Sequence, residues 1–400
     1  MKVVLVSTFY SEGMGYTENC LPRALADRGH EVHVITSALN VYGDGDDYAK
    51  TYASFLGPAD QGTGSWQVDG YTVHRLQFRT VAGYVSITGM AKQLRALRPD
   101  IVHSTAIASL QAYKLAALQP AMGFRFFTEN HQHLSVVRPF LRQPGHKVRK
   151  GLFWMTRTVP GMLVSRVMEC CYAVAPDCLE VARDLYGVPA DKLRLQSLGT
   201  DTTLFRPAVG TSELEARARE RVELGFHAED VLCVYTGRFS AAKNPLVLAQ
   251  AIERLEGDSA RFQGLFVGEG EQRDEILRCR NTRVLPFMRH SELAKLYRIA
   301  DIAVWPRQES MSMLDAAAAG LPIVVSSQVG ESERVVGNGM FYTENDPDDL
   351  ARALRALVSP QERARLGTAG RLKMVAKFSW ASIAAKFEAD YVAALADGIR

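Results

Sequence analysis

Short runs of apolar and β-branched residues alternate with helix-length amphipathic stretches along most of this chain. That alternation predicts βαβ units and parallel sheets, hence an α/β fold. In the first half, strands are expected at Val3–Ser7, Glu31–Thr36, Asp100–His103, Arg125–Glu129 and Tyr172–Ala175. The insert Trp66–Phe78 carries Asp69-Gly70 between alternating apolar residues, which signals a hairpin. The pattern pauses over Leu198–Pro207, where a hinge is placed. It restarts with strands at Val231–Tyr235, Gly264–Gly268, Val284–Phe287, Ile302–Trp305 and Ile323–Ser326. Asn244-Pro245 reads as a helix cap followed by a first-turn proline, and Ser291 as the cap of a later helix. Asp346-Pro347-Asp348-Asp349 reads as another helix start, since acids favour that end. A last helix covers about Trp380–Leu395.

The chain therefore divides into a Rossmann-like segment 1–200, a second one over 201–378, and a terminal helix within 379–400. Open α/β sheets bind ligands at the carboxyl ends of their strands, so chemistry is expected in the loops that follow strands.

Composition narrows the class. At 400 residues, with 47% hydrophobic and 23% charged positions, the chain is an ordinary globular one able to bury two cores. A net charge of +3 gives no argument for nucleic acid. The six cysteines form no C-x-x-C pair and no zinc spacing, and they read as reduced, mostly buried thiols of a cytoplasmic protein. The opening apolar run is too short for a signal peptide, and no run approaches a membrane-spanning length. The expectation is a soluble cytoplasmic protein, with a place on the inner face of the membrane left open.

The loop after the first strand contains Gly13 and Gly15, and glycines there let backbone approach an anion at a helix start. A structural turn explains them equally well. A dinucleotide fingerprint would need a third glycine where Glu18 stands, and an acid where Ser37-Ala38 stands, so a nicotinamide cofactor is disfavoured. In the second half, Gly237-Arg238-Phe239-Ser240-Ala241-Ala242-Lys243 runs from a strand end to a helix start. Two fixed cations on one such loop suit a departing diphosphate. Gly268-Glu269-Gly270-Glu271 follows the next strand, and Val284–Met288, with Leu285 and Phe287, the one after. The loop Pro306–Asp315 then precedes an alanine-rich helix ended by Gly320-Leu321-Pro322. Its carboxylates suit sugar or ribose hydroxyls, and its helix-start amides suit phosphate oxygens.

In their order, these loops resemble the family-4 retaining glycosyltransferases over nearly the whole chain. The resemblance implies the GT-B fold: two Rossmann-like domains facing each other across a cleft, with the terminal helix crossing back to the first. It makes 1–200 the acceptor domain and 201–378 the nucleotide-sugar domain. It also implies transfer from a nucleoside diphosphate sugar, a UDP- or GDP-sugar, with retention and without a metal or other cofactor. Arg238 and Lys243 fit the family's diphosphate pair, and Gly268-Glu269-Gly270 is similar to its Gly-Asp-Gly. Asp201 lies in a segment like its hinge, and Phe378-Ser379-Trp380 resembles the phrase before its terminal helix. Leu285 and Phe287 fall where the base is held, largely by backbone. The family's donor-site pair of glutamates is altered here. Counting back from Gly320, Asp315 takes the second position, beside a ribose hydroxyl, and Arg307 the first. Either the loop is shortened by two and Glu309 still serves the donor sugar, with Ser310, Met311, Ser312, Met313 and Leu314 leading into the helix, or that role is gone. In the first domain His131 fits the family's histidine near the anomeric carbon, with His133 second.

From Asn130 to Met168 there is no Asp or Glu, whereas Arg138, Arg142, Lys147, Arg149, Lys150, Arg157 and Arg166 are interleaved with Phe140, Leu141, Leu152, Phe153, Trp154, Met155 and Met162. Such a stretch, 138–166, suits peripheral contact with anionic lipid. An ordinary amphipathic helix, or a basic groove for an anionic acceptor, explains the charges equally well. The acceptor is accordingly a glycan, a lipid-linked sugar or a small molecule. Asp44-Gly45-Asp46-Asp47 imitates a metal motif of another glycosyltransferase fold and reads here as a solvated loop. Other readings of the scaffold are a sugar-nucleotide epimerase and a non-catalytic relative serving as a binding partner.

Overall fold

A computed structural model describes residues 1–45, 48–134, 136–138, 146–329 and 332–397. Asp46 and Asp47 of the acidic stretch, and Phe140, Leu141 and Arg142 of the basic one, lie outside the described residues. The chain forms two compact units, Met1–Leu198 with Ile383–Arg400, and Gly199–Ser382.

The first unit is built on β1 (Lys2–Val6), β2 (Glu31–Ser37), β3 (Gly64–Val68), β4 (Tyr71–Leu76), β5 (Phe78–Val81), β6 (Tyr84–Ile87), β7 (Ile101–Ser104), β8 (Arg125–Asn130), β9 (Cys170–Ala173) and β10 (Leu193–Leu195). Eight of these strands form one sheet in the order β10-β9-β8-β7-β1-β2-β4-β3. All its pairings are parallel except β3 with β4. Val4, Val6, Val102 and Phe126 lie in its core, because helices cover the sheet and both faces of the central strands are dry. The expected hairpin is present: Val68 pairs with Tyr71, and Asp69 and Gly70 turn with φ of 45° and 84°. Two positive φ values in a two-residue loop make the turn that matches strand twist.

The second unit holds β11 (Val231–Thr236), β12 (Phe262–Val267), β13 (Thr282–Leu285), β14 (Ile302–Trp305), β15 (Ile323–Ser326) and β16 (Gly339–Tyr342). They form a wholly parallel sheet in the order β13-β12-β11-β14-β15-β16. Every residue of β11 is buried, as an apolar run with helices on both sides requires.

Two helix caps differ from expectation. Asn244 does not cap the helix Leu246–Arg254 with its side chain: it adopts φ 48°, and its amide bonds Gln272 and Asn345. The Gln272 amide oxygen instead accepts from Leu246 N at 3.3 Å. Ser291 sits inside the helix His290–Ile299, and Glu292 reaches back to accept from Arg289 N at 2.9 Å. Asp346 does cap the helix Pro347–Ala356, accepting from the amides of Asp348 and Asp349. The last helix spans Trp380–Asp397. On the first unit its Glu388 accepts from His30 at 2.9 Å, if that ring nitrogen is protonated, and its Asp390 from Tyr172 Oη at 2.8 Å.

Candidate active site

In an open α/β sheet the binding crevice lies where strand order reverses, outside the carboxyl ends of the two strands concerned. In the second unit that point falls between β11 and β14. The loops that leave these strands are the Arg238–Lys243 loop and the Pro306–Met311 loop.

The first of these loops is zipped to the glycine loop after β12. Phe239 N donates to Glu269 O at 2.9 Å, Gln272 N to Phe239 O at 2.9 Å, and Ala241 N to a Glu271 carboxylate oxygen at 2.7 Å. Such close backbone approach requires glycines: Gly237, Gly268 and Gly270 have φ of 145°, 149° and 150°. Arg238 is exposed on this loop, and Lys243 is half-buried at its end. Lys243 Nζ donates to the carbonyl oxygen of Glu309 at 2.5 Å, which joins the two loops. Burial pushes the Lys243 ammonium down to about 8; Glu309 opposes the shift and Arg238 adds to it.

The Glu309 carboxylate is not bare. Arg334, buried beneath it, approaches to 3.1 Å. Asp315 is 3% exposed and turned inward, accepting from Thr200 Oγ1 at 2.6 Å, with His290 Nε2 at 2.9 Å. Burial depresses the His290 imidazole, but the Asp315 charge outweighs this and raises it. So placed, Asp315 braces the base of the loop. Met313 and Leu314 are also core residues, leaving only their backbone for a ligand, whereas Ser310, Met311 and Ser312 are half-buried at the loop. Arg307 reaches Glu344 at 3.3 Å and the Ala241 carbonyl at 3.0 Å, so it too ties the loops together. Leu285 ends β13, and Phe287 lies just beyond it.

In the first unit strand order reverses between β1 and β7. Gly13, with φ 77°, turns the loop after β1, and Gly15 precedes the helix Thr17–Ala26. Ser11 anchors this loop by donating to Asn40 Oδ1 at 2.9 Å. His131 follows β8, and its Nε2 meets Glu129 Oε2 in a short contact. Burial lowers the His131 imidazole, but the bond to Glu129 and the charges of Glu129 and Glu18 raise it overall. For Glu129, burial alone would raise the carboxyl, yet bonds from His103 and His131 hold it down at about 2. Glu18 is pushed up to about 7 by burial, with the His131 charge opposing.

His133 takes no part in this cluster: it pairs with Asp177 at 3.0 Å. Among the described residues, His133, Asp177 and Cys178 form one group of potential metal ligands, with ligand atoms within 4.8 Å of one another. Asp177 also accepts from Leu134 N at 3.1 Å, so the His133 contact and a loop bond already occupy its oxygens.

Sequence reasoning missed Glu18, His103, Glu129, Arg334 and Tyr391. A signal existed for Glu129, an acid inside the apolar strand Arg-Phe-Phe-Thr-Glu-Asn. Glu18 stood where a nucleotide-binding glycine was sought and was set aside for that reason.

A doubly wound pair of units, with cations and glycines on the strand-end loops, has known counterparts. Residues 20–204 match the family described as Glycosyltransferase Family 4, and residues 230–360 match Glycosyl transferases group 1. The chain belongs to these group-1, family-4 glycosyltransferases, and its fold is GT-B. It is 29% identical over 231 residues to the D-inositol 3-phosphate glycosyltransferase of Nocardia farcinica, covering 53% of this chain and 50% of that protein. The chain thus spans about half the length of the D-inositol 3-phosphate glycosyltransferases it matches, and 70% of the glycogen synthase of Mycobacterium tuberculosis, to which it is 26% identical. Among solved structures, sucrose-phosphate synthase from Thermosynechococcus elongatus is similar with a TM-score of 0.70 at 19% identity, covering 99% of this chain and 100% of that one. Anabaena HepE in complex with UDP is similar with a TM-score of 0.68 at 16% identity, covering 98% and 100%. Both likenesses concern the fold.

Proposed function

We propose that this protein transfers a glycosyl unit from a nucleoside diphosphate sugar, a UDP- or GDP-sugar, to an acceptor hydroxyl with retention, in glycan, glycolipid or glycoconjugate biosynthesis. The observation that carries the reading is the pair Arg238 and Lys243 on the loop leaving β11, at the point where strand order reverses. As the bond from the sugar to the diphosphate breaks, negative charge grows on the departing phosphate oxygens. Two cations already held in place stabilise that charge without reorganising. They do the work for which other transferases recruit a divalent ion, so transfer proceeds without a metal cofactor. The Glu309 carboxylate, oriented by Arg334, accepts hydrogen bonds from donor-sugar hydroxyls. His131 serves the transferred sugar, with Glu129 fixing its ring. The relatives support this reading: one is named a D-inositol 3-phosphate glycosyltransferase, and HepE was solved with UDP.

The exposed apolar and basic stretch within 138–166 favours an acceptor that is lipid-linked or reached at an anionic membrane face. No helix among the described residues is long and apolar enough to cross a membrane.

The test is release of nucleoside diphosphate from a panel of UDP-, GDP-, ADP- and dTDP-sugars, with and without acceptors, in buffer containing a chelator. One donor should be consumed with the chelator present, and Lys243→Ala should lower kcat/KM by about 10²-fold or more. Conversion of a donor to another nucleotide sugar without an acceptor would make the protein an epimerase. Inertness toward every donor and acceptor would leave a non-catalytic binding protein.

A further inference from the structure

We propose that Tyr391, His103 and Glu129 form a buried positioning chain that fixes the orientation and the proton of His131. Its role in transfer rests on the function proposed above; the chain itself rests on geometry within the first unit.

Glu129 is 2% exposed, and each of its carboxylate oxygens faces a different imidazole. Oε2 meets His131 Nε2 in a short contact, and Oε1 lies 3.0 Å from His103 Nε2 at a skewed angle. The other His103 nitrogen, Nδ1, meets the phenol of Tyr391 in a second short contact. His103 and Tyr391 are both fully buried, so no water competes for these bonds. These contacts fit the following proton arrangement, in which His103 Nε2 and Glu129 Oε1 approach without forming a hydrogen bond. The Tyr391 hydroxyl donates to His103 Nδ1, His103 Nε2–H points at Glu129 Oε1, and His131 Nε2–H donates to Glu129 Oε2. A buried carboxylate of this kind would be costly alone; two imidazole N–H groups and one imidazolium charge offset it.

The consequence falls on His131, whose side chain is 34% exposed while its three supports are not. With Nε2 committed to Glu129, Nδ1 is the atom left for a ligand. The titratable groups around the ring are Glu129 at the end of the strand that His131 follows, Glu18 from the helix Thr17–Ala26, and His103 behind Glu129, with Tyr391 behind that. Both carboxyls favour the charged imidazole, and in that form Nδ1–H presents a cationic donor to a sugar hydroxyl. The last helix, which supplies Tyr391, is thereby tied to the histidine through two intermediates.

The test is a ¹⁵N-histidine NMR titration of the full chain, with the His131 signal assigned by its loss in His131→Asn. Wild-type His131 should titrate above the ordinary 6.5, and Glu129→Gln should lower its midpoint by about one unit or more. A midpoint unmoved by Glu129→Gln overturns the proposal. Should that variant fail to fold, Tyr391→Phe removes a single oxygen. It should turn His103 from the Nε2–H form into a mixture of tautomers, read from its nitrogen shifts; an unchanged His103 spectrum overturns the chain. With an active donor and acceptor in hand, Glu129→Gln should also move the alkaline limb of kcat to lower pH while leaving nucleotide affinity alone. Absence of wild-type transfer would count against the proposed function and leave the NMR outcome decisive for the chain.

Discussion

A Cβ on Gly268 would stand 1.9 Å from the carbonyl oxygen of Gly237, so the loops after β11 and β12 touch backbone to backbone. Gly268 also has φ 149°, outside the range of L side chains. This contact shapes the loop that carries Arg238 and Lys243. Gly268→Ala should therefore lower unfolding free energy by about 3 kcal/mol and abolish nucleotide binding. Gly64→Ala, where nothing lies within 4 Å of the added carbon, should change neither. Denaturant unfolding of the two variants checks this, and equal midpoints would mean that the loops can part cheaply.

Lys243 gives the nucleotide site a pH dependence. Its ammonium is held down at about 8 in the free protein, chiefly by burial, and a bound diphosphate would raise it. A group whose pKa rises on binding contributes fully below its free value, and the contribution fades as pH climbs through 8. Affinity for the nucleoside diphosphate should thus fall above pH 8, with proton uptake on binding between pH 7 and 9. Calorimetry in buffers of different ionisation enthalpy reads that uptake directly, and Lys243→Arg should remove it. Equal binding enthalpies in all buffers at pH 8 would mean that Lys243 does not meet the phosphates.

The helices between His146 and Val167 expose Val148, Trp154 and Met155 by 79%, 55% and 64%, beside exposed Lys150 and Arg166. An apolar surface edged by cations suits an anionic bilayer and has no evident use in water. The protein should co-sediment with vesicles containing phosphatidylglycerol and not with pure phosphatidylcholine, and binding should weaken with salt. Trp154→Ser with Met155→Ser should reduce it several-fold. Absence of sedimentation with any vesicle would favour a soluble anionic acceptor for the same cations.

Much of the scaffold was legible because local signals and tertiary needs agreed. Val231–Thr236 is an unbroken apolar run, Asp69-Gly70 can only turn tightly, and Asp346-Pro347 can only begin a helix. Elements without such signals were missed. β10 has three half-exposed or exposed residues, β16 is an edge strand that opens on a glycine, and β5–β6 is a small separate hairpin turned by Ala82 and Gly83. Cap chemistry misled where a distant side chain did the work, as Gln272 does in place of Asn244.

The candidate site divides along the same line. Glycines and cations on strand-end loops could be read from position and spacing. Their partners could not, because Arg334 reaches Glu309 across 25 positions and Tyr391 reaches His103 across 288. Asp315 had the right place in the chain but faces inward, a matter of side-chain direction that spacing does not reveal.

The decisive measurement is calorimetric titration of the wild type and of the Arg238→Ala, Lys243→Ala double variant with UDP, GDP, ADP and dTDP. One nucleotide should bind the wild type with a dissociation constant of about micromolar order, and the double variant should lose at least 100-fold, roughly 2.7 kcal/mol. No binding of any nucleotide to a folded wild type, or equal binding to both proteins, would contradict the assignment of these two cations to a donor diphosphate.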